Sequence, residues 1–215
     1  MAVVVWLLAL WGCSAAGLRN ALDNPAGVPY VIVAAVAYAA MSGVLLWRWT
    51  PLTGAPLSAL GFHRLGKRDI GAIAAGALVA FALRLCTFAY LAAIGQPGHV
   101  QAGLGAFRPE GPLSVALVIL LGATIAPFAE ELLFRGIVYR AIAQYWPDGR
   151  AVIVSALLFA VARFDVVLAP FFVAYGALLA ILYRRTHQLL VPVGVRAIFD
   201  GTSYALLAWL SSAKP

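Results

Sequence analysis

Glu130 and Glu131 stand side by side, and Arg135 follows four residues after the second of them. A carboxylate can serve as a general base towards water. A guanidinium can stabilise an oxyanion by its charge. On a helix, Glu131 and Arg135 share one face, with the acid on the N-terminal side, which is the favourable order for an ion pair. Glu130 then points about 100° away and is left to find another partner. Arg196 and Asp200 are also four apart, and Arg163 stands alone between the two groups. That makes three acids and three arginines.

The elements that must carry these charges are apolar. Of 215 residues, 64% are hydrophobic and 11% charged, and the mean hydropathy is +0.95. Such a composition excludes an ordinary soluble domain and predicts an integral, multi-helix membrane protein. Apolar runs cover residues 2–17, 28–47, 70–94, 113–146, 151–164, 166–183 and 189–210. The expected fold is therefore all-α, a membrane bundle of about seven spans in a single domain, 1–215. The run over 113–146 is too long for one simple span, so a kink is expected at Pro127. Residues 2–17 are expected to be a retained first helix. Ser14-Ala15-Ala16 resembles a signal-peptidase site, but the first basic residue is Arg19, so the positive start of a signal peptide is missing.

An ionisable side chain near mid-bilayer costs roughly 2.5–3.5 kcal/mol on insertion scales. Scattered through the spans, six such groups would cost about 15–20 kcal/mol if these terms added. Gathered in one place, they pair completely. Glu130 or Glu131 is therefore expected within salt-bridge reach of Arg163 or Arg196, with Asp200 on the same face as Arg196. Arg84, inside another span, is expected to pair with an acid of the bundle or to snorkel.

The basic residues sit mostly between the apolar runs. With seven spans and a cytoplasmic N-terminus, Arg48, Arg64, Lys67, Arg68, Arg135, Arg140, Arg150, Arg184 and Arg185 fall on the cytoplasmic side, against Arg19, Arg108 and Lys214 outside. Nine against three is a strong positive-inside bias. The net charge of +7 thus serves topology and anionic headgroups, and no nucleic-acid partner is expected. Cys13 and Cys86 lie in apolar segments without a CxxC, so neither a disulfide nor a zinc site is expected. His99 and His187 are expected to face water. The tyrosines and tryptophans are mostly expected at the membrane interfaces.

Glu130-Glu131-Leu132-Leu133-Phe134-Arg135 resembles the EExxxR motif of the CPBP family, the CAAX-prenyl-protease-2-like (Abi) intramembrane proteases. Phe159-Ala160-Val161-Ala162-Arg163 stands where that family carries FxxxH, and Arg196-Ala197-Ile198-Phe199-Asp200 where it carries HxxxN or HxxxD. The resemblance covers about residues 70–210. It implies an intramembrane endopeptidase in which a glutamate of the first motif activates water, with site positions Glu130, Glu131, Arg135, Arg163, Arg196 and Asp200.

Both histidine positions are arginine here. Neutral imidazole accepts a proton or ligates a metal, whereas guanidinium has no acceptor and stays charged. Neither a metal nor another cofactor is expected. Two functions follow. One is a catalytically impaired relative that binds or escorts a membrane partner, a peptide or a lipid. The other is an active glutamate-dependent endopeptidase that uses its arginines on the oxyanion. The expected location is a bacterial plasma membrane.

Overall fold

The computed structural model describes residues 28–53, 56–99 and 111–212. The expected span 2–17, together with Cys13, Arg19, Arg108 and Lys214, lies outside the described residues. Six helices account for the remaining apolar runs: α1 (Val28–Thr53), α2 (Lys67–Ala93), α3 (Pro112–Ala143), α4 (Asp148–Val161), α5 (Ala169–Thr186) and α6 (Leu190–Ser212). A 3₁₀ turn, Leu57–Leu60, lies between α1 and α2. No strand occurs among the described residues. Three stretches are long and apolar enough to cross a bilayer on their own: Val31–Trp49, Lys67–Ala93 and Pro112–Ala143. The apolar side chains that α2 turns outward, such as Leu78 and Leu85, are suited to lipid and not to water.

Local chemistry sets the helix ends. Asp69 accepts a hydrogen bond from the Gly66 backbone N–H at 2.9 Å, closing the first turn of α2 with an acid at its positive end. His187 ends α5 in the left-handed region at φ 49°. Proline occupies the first turn of α3 and of α5, where its missing N–H leaves no bond unmade.

Within α3, Pro127 does not break the helix. A π-helical stretch, Leu121–Ile125, precedes it, and the Ala126 N–H reaches back to the Leu121 carbonyl. A short α segment, Ala126–Glu131, carries the two glutamates. A second π stretch, Leu132–Tyr139, follows and is buried on every side.

Short α4 is about 21 Å long at 1.5 Å per residue. It falls short of the ~30 Å hydrocarbon layer, and Arg163 follows just past its end. Close approach of α2 to α5 and α6 depends on Gly76. A Cβ there would stand 2.6 Å from Leu182 Cδ1 and 2.7 Å from Val195 Cγ2.

Candidate functional site

The site lies where α3 meets α1, α4, α5 and α6. Glu130 and Glu131 project from the segment between the two π stretches, and both are sealed from solvent. Glu131 Oε1 accepts from Arg135 Nη1 at 2.8 Å, the expected i,i+4 pair. The other end of the Arg135 fork donates to the Gly176 carbonyl of α5 at 2.9 Å. Arg135 is fully buried, and its charge is spent inside the bundle.

Glu130 finds its partners on three other elements. Arg163, beyond α4, and Arg196 Nη1 of α6, at 2.6 Å, both donate to Glu130 Oε2. Tyr38 of α1 donates to Glu130 Oε1 at 3.2 Å. Arg196 also lies 3.5 Å from Glu131 Oε1, and its Nη2 donates to Asp200 Oδ2 at 3.3 Å. The structure thus brings all six motif residues, Glu130, Glu131, Arg135, Arg163, Arg196 and Asp200, into one network. The inner members are sealed. Arg163 and Asp200 keep side-chain exposures of 22% and 23%, so the network opens on their side.

Phe159 holds the cations apart. Its ring centroid lies 4.9 Å from the Arg135 guanidinium carbon, 4.7 Å from that of Arg163 and 5.7 Å from that of Arg196. Three like charges share one aromatic ring, which attracts each of them while filling the space between.

Some participants escape sequence reasoning. Tyr38 looks like an interface anchor by type, yet it sits mid-helix and bonds a glutamate. The signal was there, since an interface tyrosine belongs near a helix end. Ser155 Oγ, Tyr175 OH and Glu131 Oε2 are buried without a hydrogen-bond partner among the described residues, as are the Nε atoms of Arg135 and Arg196. Arg84 takes no acid as a direct partner. Its Nη1 donates to Ser203 Oγ at 2.6 Å, and its guanidinium carbon lies 4.0 Å from the Phe199 ring centroid.

His99 differs from the solvated loop residue expected. It bonds Asp165 of the α4–α5 connection at 3.1 Å. Burial works to raise the Asp165 carboxyl, but the Leu168 backbone N–H and the His99 ring outweigh it and hold it below the usual carboxylate range. Cys86 is free and exposed on α2.

Chemically, the site is a neutralised acid pair. No group of three His, Cys, Asp or Glu side chains fit to hold a metal occurs among the described residues. The groups that reach the glutamates are guanidiniums and a phenol, each donating a hydrogen to a carboxylate oxygen.

Comparison with known proteins adds a family. Residues 112–202, from the start of α3 into α6, match the description "Type II CAAX prenyl endopeptidase Rce1-like". Over this part the chain is similar to the CPBP family. A protein of Bacillus subtilis (strain 168) named "Putative membrane peptidase YdiL" is 29% identical over 80 residues, which is 37% of this chain and 33% of that protein. The chain thus spans about a third of that relative's length. No solved structure matches. The matched stretch contains all six site residues and both π stretches. Its helices, with the family match, make this an integral membrane protein.

Proposed function

We propose that this CPBP-family membrane protein works by binding or escorting a membrane partner, a protein, a peptide or a lipid, and that peptide-bond hydrolysis is lost or severely impaired. One observation carries the reading: both oxygens of Glu130 are already held by donors, and the side chain is sealed from solvent. Its Oε2 accepts from two guanidiniums and its Oε1 from Tyr38. A carboxylate so occupied is a poor proton acceptor, and general base catalysis needs a lone pair aimed at the water. Arginine at the two histidine positions supplies no replacement base. The reading gives the site no cofactor, and nucleic acid no role. The basic end of the bundle supports a cytoplasmic α1–α2 loop, and the proposed setting is a bacterial plasma membrane with the N-terminus in the cytoplasm.

The experiment is a cleavage assay on purified, reconstituted protein. Wild type and Glu130→Ala should be equally inactive. The double change Arg163→His plus Arg196→His frees Glu130 and restores imidazole. Any hydrolysis it gains should vanish when Glu130 or Glu131 is made Gln.

A second reading rests on Glu131 Oε2, which is buried and has no partner among the described residues. In an active endopeptidase that oxygen would take the proton and Arg163 would steady the oxyanion. Strong wild-type cleavage that is lost in both Glu131→Gln and Arg163→Lys would establish this reading and overturn the first.

A further inference from the structure

Two basic segments far apart in the sequence meet at one end of the bundle. Gln188, fully buried after α5, donates through Nε2 to the His63 carbonyl at 2.6 Å and lies 3.1 Å from His63 Nδ1. Gly61 lets the two backbones touch. Its φ is +82°, and a Cβ there would stand 1.9 Å from the His187 carbonyl oxygen. Leu60 is fully buried behind it.

This contact brings the segment carrying His63, Arg64, Lys67 and Arg68 to the end of α5, which carries Arg184 and Arg185. All are exposed except Arg184, which is half-buried. The acid within these segments, Asp69, is engaged in capping Gly66. Between the cations, Phe62 and Leu65 are 39% and 42% exposed. A soluble anion has no use for apolar side chains interleaved with the charges, whereas a lipid surface does. The cations meet the phosphates while Phe62 and Leu65 enter the acyl boundary.

We propose that segments 61–68 and 184–187 together form a binding site for the headgroup of an anionic phospholipid, held in one piece by the Gln188–His63 contact. This goes beyond the reading of the acid–arginine site and does not depend on it. The occupant is the phosphate of a lipid of the host bilayer, taken by converging arginines.

The test is a titration of the full chain in neutral detergent with short-chain phosphatidylglycerol, followed by the rise in unfolding temperature. Phosphatidylcholine and inorganic phosphate are the comparison ligands. Phosphatidylglycerol should stabilise the wild type far more than either. The triple variant Arg64→Gln, Arg184→Gln, Arg185→Gln removes only surface charge. It should weaken the response on the order of a hundredfold in apparent affinity, about fivefold for each arginine. Arg150→Gln, also basic and exposed but outside both segments, should leave it unchanged. Gln188→Leu keeps every charge and should still weaken binding. An unaltered response in the triple variant overturns the site. An unaltered response in Gln188→Leu overturns its joint construction. Equal stabilisation by inorganic phosphate overturns the lipid as occupant.

Discussion

Arg196 donates towards three carboxylates at once. Its Nη1 lies 2.6 Å from Glu130 and 3.5 Å from Glu131, and its Nη2 lies 3.3 Å from Asp200. Only a planar fork can do this, since lysine offers a single point charge. Replacing Arg196 with Ala strands buried carboxylates and should cost about 3–5 kcal/mol. Arg196→Lys should recover only part of that stability. Adding Asp200→Asn to Arg196→Ala should recover some of it as well, because Asp200 loses its guanidinium partner and the neutral amide removes that orphaned charge. Thermal unfolding in detergent measures all three. Equal stability of Arg196→Ala and wild type would show that the network is not structural.

At the scale of elements, the helices approach where side chains are smallest. Gly76 faces Leu182 and Val195 with no room for a methyl group. Gly76→Val should therefore force α2 away from α5 and α6, at a cost of about 1–3 kcal/mol. Gly71, one turn earlier on the same helix, has open space around its Cβ position. Gly71→Ala should be neutral or stabilise by up to about 1 kcal/mol, through helix propensity alone. If both variants unfold at the wild-type temperature, the close packing of α2 is not what holds it. The π stretches of α3 belong to this scale too. They flank the short α segment that carries Glu130 and Glu131, and all eight residues of the second stretch stay buried.

Across the whole molecule, the helices alternate in direction and one end collects the exposed cations. The Tyr139–Tyr183 ring contact at 6.0 Å ties the end of α3 to the end of α5. The Gln188–His63 contact ties the α5–α6 turn to the α1–α2 loop. His99 and Asp165 close the opposite end. Cysteines placed at Lys67 and Arg185 should therefore be labelled from the same side, and a cysteine at Asp165 from the other. Applied outside intact cells, an impermeant reagent should reach only the last of these. Labelling of Lys67→Cys from outside would reverse the orientation.

Sequence alone determined whatever depends on near neighbours along the chain. Apolar runs fixed the medium and the positions of the six described helices, because a bilayer admits little else of that length and composition. Helical periodicity fixed the Glu131–Arg135 and Arg196–Asp200 pairs, because i and i+4 must meet on any helix. The cost of buried charge indicated that the two groups would meet, and the motif spacing named the residues. Tertiary structure decided the rest, since those partners lie far apart in sequence. Tyr38 reaches Glu130 across 92 residues, Arg84 takes Ser203 across 119 in place of an acid, and Gln188 takes His63 across 125. No local pattern encodes such pairs. They follow from how helices pack at glycines and around Phe159, and that packing leaves both Glu130 oxygens engaged and Glu131 with one oxygen unclaimed among the described residues.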